Sequence, residues 1–222
     1  MAHLHQRYQQ ELDLLAEHHQ QMLVMSEGMV RDAMRSIVER DPALGRQVLA
    51  MDSDLDRLEV VIDEACMRIL ALYRPVARDL RLVITLMKSA TDLERIGDQA
   101  VNIAKRGFDL SRGTGLEPVA ELAEMAELIG GMMGAVRESF ITRDLGSLGR
   151  LAAAEGRVDE LNRAVFTLVI NAMAVHPDQS RRGLALTSVS KALERVADHA
   201  VNLGEQLIYL VRGEDVRHAR DD

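Results

Sequence analysis

LERIGDQAVNIA, residues Leu93 to Ala104, returns one hundred residues later as LERVADHAVNLG, residues Leu193 to Gly204. Glu, Arg, Asp, Ala, Val and Asn hold the same places in both copies, with Ile/Val, Gly/Ala and Ile/Leu as near matches. Ungapped self-similarity of this kind marks a chain built from two copies of one structural unit. Each copy sets a Glu and an Asp four apart, Glu94 with Asp98 and Glu194 with Asp198. On a helix that spacing stacks both carboxylates on one face, where like charges repel by a few tenths of a kcal/mol. A chain that does this twice is expected to place something positive between them.

Helical periodicity extends outward from both copies. From about Leu4 to Arg40, Leu12, Leu15, Met22, Met25, Met29, Ala33 and Ile37 recur as one face of a long helix would. Gly28 costs that helix about 1 kcal/mol without breaking it. Asp41 and Pro42 read as the cap and first turn of a second helix reaching about Tyr73, and Pro75 marks the next boundary. The third helix carries Leu80, Val83, Met87, Ala90, Ile96 or Gly97, Val101 and Ala104 and is expected to end near Gly107. SRGTGLEP, Ser111 to Pro118, concentrates Gly and Pro and reads as the link between halves. The pattern then repeats. A helix is expected from about Glu117 to Thr142, one capped by Asp144 runs to Val175, and a last one follows the break at His176 and Pro177. That helix runs to about Arg212, with Gly213 placed to end it and a charged tail expected to fray. No stretch alternates for long enough to argue a strand. The fold read from this is all-α: two tandem antiparallel three-helix bundles related by internal repeat, residues 1–112 and 113–222.

Composition limits the chemistry. Hydrophobic residues make up 47% and aromatics only 3%, with no Trp and 12 Met, so the core is expected from Leu, Val, Ile, Met and Ala. With 35 acidic against 27 basic residues the net charge is −8, which excludes nucleic acid as a partner and favours a cation or a basic protein surface. Cys66 is the only cysteine, which rules out a disulfide framework, suits a reducing compartment and reads as a small core residue. The N-terminus has no apolar signal region, and the longest uncharged run, Ala164 to Pro177, falls short of the roughly 20 residues of a membrane span. A cytoplasmic protein without direct membrane insertion is expected, recruited to any membrane through protein partners because an acidic chain is not drawn to anionic lipid.

The acidic spacing recurs outside the echo, at Asp52 with Asp56 and at Glu155 with Asp159. Each half thus has one acid pair on its middle helix and one on its last. An antiparallel bundle can face them and converge four carboxylates on one patch. Hard oxygen donors with no nearby thiolate favour Mg, Mn, Ca or iron over structural zinc. Asn102 and Asn202, four residues further on, extend each site as neutral oxygen ligands or outer donors. The structural reading stands beside this one. In a chain with 28% charged residues acids four apart are common, and Arg95 and Arg195 offer ordinary surface salt bridges. Glu94 resists that reading, because Ala90, Gly97 and Val101 set it at the border of the apolar stripe. There is no Glu-x-x-His, HExxH, glycine-rich phosphate loop or GxSxG. His199, matched by Gln99 in the other copy, reads as an incidental surface or capping residue, and His18 and His19 as solvent-facing. The Met residues read as core filler, with Met132 and Met133 as a candidate adaptable interface.

The chain resembles the PhoU family of phosphate-specific transport system accessory regulators. YRPVARDLRLV from Tyr73 to Val83, LERIGDQAVNIAKR from Leu93, and LERVADHAVNLGEQLIYLVRG from Leu193 to Gly213 carry the resemblance, which covers nearly the full length. Ser111 to Gly134 carries no signature. The resemblance implies a non-enzymatic negative regulator of the phosphate-starvation response that also modulates phosphate uptake. It would bridge the ATPase of the phosphate ABC transporter and a membrane sensor histidine kinase, and would form a homodimer. It also implies metal clusters held by E/D-x-x-x-D motifs, here Glu94 with Asp98 and Glu194 with Asp198, with Asp52, Asp56, Glu155 and Asp159 as the partner-helix acids. Fe, Mn, Mg and Zn stay open, and the Gln99/His199 difference means the two sites need not hold the same metal. A metal-dependent phosphohydrolase using the acid clusters as a two-metal clamp is the alternative, for which the sequence offers no general base. A helical phosphotransfer module would need a phosphohistidine at His199 or His176.

Overall fold

A computed structural model of the chain describes residues 2–111 and 120–216, and every regular element among them is helical. Six long helices follow in order: α1 Ala2–Val38, α2 Pro42–Tyr73, α3 Ala77–Ser111, α4 Ala120–Thr142, α5 Leu151–Val175 and α6 Ser180–Arg212. Short 3-10 segments, Gly146–Arg150 and Pro177–Gln179, precede α5 and α6. The expected link, beyond Ser111, lies outside the described residues, as do the boundary between residues 112 and 113, the start of a helix at Glu117 and the tail from residue 217 onward.

The sequence signals act where they stand. Asp41 Oδ1 accepts from the Ala43 amide at 2.8 Å and Pro42 fills the first turn, so α2 starts with one of its orphan donors satisfied. Arg74 closes α2 in the left-handed region at φ 51, and Pro75 follows. Gly213 does the same for α6 at φ 78, its amide donating to the Tyr209 carbonyl at 2.8 Å. Asp144 differs from expectation. Its Oδ1 accepts from the Gly146 amide at 3.0 Å, but the chain takes a 3-10 turn before α5 begins at Leu151. Gly146 and Gly149 weaken an α-helical start, while burial of Leu148 and Leu151 holds the tighter turn in place. The third helix also runs one turn past the Gly107 expected to end it.

α1, α2 and α3 form one up-down-up bundle and α4, α5 and α6 the other, related by the repeat. Tyr8 bonds Asp79 and His19 bonds Ser89, so α1 and α3 run parallel with α2 returning beside them. Between the halves α3 packs against α6 and α1 against α4, leaving α2 and α5 on opposite flanks. One continuous core results, built of Leu, Val, Ile, Met and Ala with Phe140 at its edge. Cys66 is a core residue as expected: its Sγ lies 3.6 Å from the Val83 carbonyl, and burial, reinforced by Asp63, pushes the thiol up to about 12. Met132 and Met133 are buried too, so they fill the core and form no exposed interface. No helix among the described residues is long and apolar enough to cross a membrane.

Candidate functional site

Each flank joins a middle helix to a last helix at the level of the acid motifs. On the first, a Cβ at Gly97 would collide with Leu55 Cδ2, so glycine lets α2 approach α3 between Glu94 and Asp98. On the second, Gly204 does the equivalent work, since a Cβ there would lie 2.6 Å from Leu151 Cδ1. The echo had paired Gly97 with Ala197 and Ala104 with Gly204, and both copies keep small residues at both places.

The carboxylates of each half sense one another across this junction. The Asp52 carboxyl is held above the usual aspartate range by partial burial and then by Asp56 and Asp98, with Lys105 opposing. Glu94 is raised by burial, by Asp98 and, more weakly, by Glu59 and Asp56, with Arg95 opposing. On the other flank Asp198 is raised by burial, then by Glu194, Asp159 and Glu155, with Lys191 opposing. Asp52, Asp56, Glu94 and Asp98 are therefore one electrostatic group and Glu155, Asp159, Glu194 and Asp198 a second. Glu59, one turn beyond Asp56, belongs to the first group and was missed, although it continues the same helix face.

Cationic side chains already lie among these acids. Arg95 bridges Glu94 at 3.4 Å and Asp98 at 3.2 Å, Lys191 holds Glu194 at 2.6 Å, and Arg163 reaches Asp159 at 3.8 Å. Among the described residues no three His, Cys, Asp or Glu side chains converge into a coordination shell in this arrangement. The donor set itself suits a hard cation: all oxygen, partly buried, with carboxyls raised by mutual repulsion that a positive charge would relieve. Asn102 is exposed beside the first group. Asn202 turns elsewhere, its Nδ2 donating to Asp92 at 3.3 Å.

That Asp92 anchors a polar cluster the sequence reading did not find. It lies on α3 at the seam with α6, where His199 Nδ1 lies 2.8 Å from its Oδ1 and Gln206 Nε2 donates to its Oδ2 at 2.6 Å. His199 is thus partly buried and ties the halves together, against the expectation of an incidental residue. The signal was present. Asp92 corresponds to Ala192 and His199 to Gln99, and these two departures from the repeat meet in space. His19 likewise faces inward, 2% exposed, with Nε2 2.6 Å from Ser89 Oγ and its ring 4.5 Å from that of Phe140. Burial, then Arg143, lowers it to about 3.

Comparison with known proteins places this geometry. The PhoU domain matches residues 20–107 and again residues 122–207. A Pseudomonas putida protein named phosphate-specific transport system accessory protein PhoU homolog is 35% identical over 97% of this chain and 85% of its own length. A Thermotoga maritima protein named phosphate-specific transport system accessory protein PhoU homolog 1 is 30% identical over 96% of this chain and 92% of its own. The crystal structure of PhoU from Pseudomonas aeruginosa superposes with a TM-score of 0.89 at 33% identity, covering 93% of this chain and all of that one. The phosphate transport system regulatory protein PhoU from Streptococcus pneumoniae gives 0.84 at 26% identity, over 94% of this chain and 99% of that one. With both halves matched by one domain and relatives aligned across nearly all of its length, the chain belongs to the PhoU family.

Proposed function

We propose that the protein is a cytoplasmic negative regulator of the phosphate-starvation response. It acts as an adaptor between the ATPase of the phosphate ABC transporter and a sensor histidine kinase, modulates uptake through the first, and holds divalent or ferric ions at its two acid clusters. The observation that carries this reading is the full-length match of both halves to a family whose relatives are named as accessory proteins of the phosphate-specific transport system. The flanks support it. Each presents a carboxylate cluster, and the shift that takes Asp52 and Asp56 onto Glu155 and Asp159 also takes Met67 onto Ile170 and Leu72 onto Val175, all exposed and apolar. Exposed apolar residues kept on both flanks suit an adaptor with two clients.

At each flank Asp52, Asp56, Glu94 and Asp98, or Glu155, Asp159, Glu194 and Asp198, would hold the metal. A bound cation supplies charge neutralisation that fixes the two helices relative to one another. Arg95 and Lys191, which pair with these acids, would swing aside. The test is alkaline phosphatase reporter activity in phosphate-rich medium. Deleting the gene should raise it, and the intact gene should restore the low level. Unchanged activity on deletion would overturn the restraining role. Elemental analysis of tag-free protein tests the metal separately: more than one equivalent per chain, lost in Glu94→Gln with Asp98→Asn, is expected.

A further inference from the structure

The two ends of the α3–α6 seam are related by the repeat yet filled differently. At one end Arg181 pairs with Asp109 at 2.9 Å. The repeat carries Arg181 onto Arg81 and Asp109 onto Tyr209, so at the other end the acid is replaced by a phenol. There Arg81 forms no ion pair among the described residues, and its Nε is buried with no hydrogen-bond partner. One turn on, Thr85 is 1% exposed and its Oγ1 is also unpartnered. Its counterpart is Ala185, which carries no such group. A buried hydroxyl without a partner opposes folding, and alanine would avoid it.

Thr85 opens onto a cleft of about 320 Å³ between α3 and α6. Its α3 wall carries Ile84, Thr85, Lys88 and Asp92, and Lys88 likewise makes no ion pair among the described residues. Thr85 and Lys88 fall on one helix face, with Arg81 one turn before Thr85 and outside the cleft. Its α6 wall carries Glu205, Gln206 and Tyr209, with Asp215 at the mouth. Gln206 is fixed by its amide bond to Asp92, which leaves its Oε1 buried as an acceptor with no donor. Asp92 already accepts from three side chains. With Asp92 engaged by its own three donors, the α3 wall offers Lys88 and an unused hydroxyl, and the α6 wall Glu205 and an unused carbonyl oxygen. A bare anion satisfies only the first, and the space exceeds what one ion fills.

We propose that this cleft binds a small zwitterion, its oxyanion against Lys88 and Thr85 and its ammonium against Gln206 Oε1 and Glu205. The oxyanion is a carboxylate or a phosphate monoester, and the ligand contacts both halves of the chain at once. This site is independent of the flank acid clusters and of the regulatory reading.

Isothermal titration of the full chain tests it, with phosphoethanolamine and β-alanine as the two zwitterions and inorganic phosphate and ethanolamine as half-ligands. Saturable binding of one zwitterion is expected, with both half-ligands at least about tenfold weaker. Which zwitterion binds names the oxyanion. Lys88→Gln should weaken it about tenfold. Thr85→Val should weaken it several-fold while leaving the melting temperature of the free protein unchanged or higher, which a merely structural hydroxyl would not do. Absence of saturable binding by either zwitterion overturns the proposal. So does affinity unchanged in both variants, or phosphate alone binding as tightly as phosphoethanolamine.

Discussion

Replacing His19 with leucine should remove one specific source of acid lability. His19 is 2% exposed, and Ser89 Oγ, which lies 2.6 Å from its Nε2, donates to the Leu86 carbonyl at 3.1 Å. A hydroxyl has one proton to give, so Nε2–H is the donor to Ser89. Burial, then Arg143, lowers its folded value to about 3 from the unfolded 6.5. The sign follows directly. Between those values the unfolded chain binds a proton that the folded chain refuses, so stability is intact above 6.5 and is lost as pH falls. At about 1.4 kcal/mol per pH unit, the loss reaches about 3 kcal/mol by pH 4.5.

His19→Leu cannot titrate, and Ser89 keeps its own acceptor. At pH 7.5 the variant should be about 1.5 kcal/mol less stable, having lost one hydrogen bond and a ring contact with Phe140. The two stability curves should cross near pH 5.5, the variant being the more stable below it. Urea unfolding followed by circular dichroism, the chain having no Trp, measures both curves in chelator-treated protein. A constant offset from pH 7.5 down to 4.5 would refute the reasoning, because it would mean that His19 takes up its proton inside the fold.

The flanks and the core yield further expectations. Asp52 is raised above its ordinary 3.8 by burial and by Asp56 and Asp98, so the metal-free fold loses stability as pH rises through that range; Asp52→Asn should stabilise chelator-treated protein at pH 7 in urea unfolding and lower the metal content found by elemental analysis. Gly97→Val should cost about 1–3 kcal/mol by the same assay, because the added carbons meet Leu55 and push α2 from α3, and it should also reduce metal content although no ligand has changed. Cys66, fully buried with its thiol pushed up to about 12, should resist iodoacetamide at pH 8 until the chain unfolds; fast labelling of folded protein would contradict its place in the core.

Periodicity made the helices legible because each buries a stripe, and the stripe repeats at the helical period whatever it packs against. Asp41, Pro42, Pro75 and Gly213 marked ends through chemistry local to the backbone. The acid pairs were legible for the same reason, since four-residue spacing fixes a face. What packs against that face is not local. His19 continues the step from Leu15 to Met22 and so belongs to the buried stripe, yet a polar residue in a stripe reads as exposed until a partner such as Ser89, seventy residues on, is known. The seam was hidden similarly. Nothing on α3 alone says that the face carrying Asp92 meets α6, and Asp92 stands one residue outside the echo that drew attention to its neighbours.

The two kinds of site also diverge in how they treat the repeat, and the seam gives a physical reason. On the flanks the repeat is kept, in the acid pairs and in the exposed Met67, Ile170, Leu72 and Val175. At the seam it is broken, at Asp92 against Ala192, Gln99 against His199, and Asp109 against Tyr209. A chain of two identical halves would pair α3 of one molecule with α3 of another as readily as with its own α6. Pairing like with like sets Asp92 opposite Gln99, and α6 with α6 sets Ala192 opposite His199; only unlike halves bring Asp92 to His199, Asn202 and Gln206 together. Pairing α3 with α3 still offers Asp92 donors, at Gln99, Asn102 and Arg106, but pairing α6 with α6 leaves His199, Asn202 and Gln206 facing Ala192 with no carboxylate, at about 1–3 kcal/mol. The polar cluster therefore acts against the α6–α6 pairing, as a buried polar residue in a coiled coil acts against the registers that leave it unpaired.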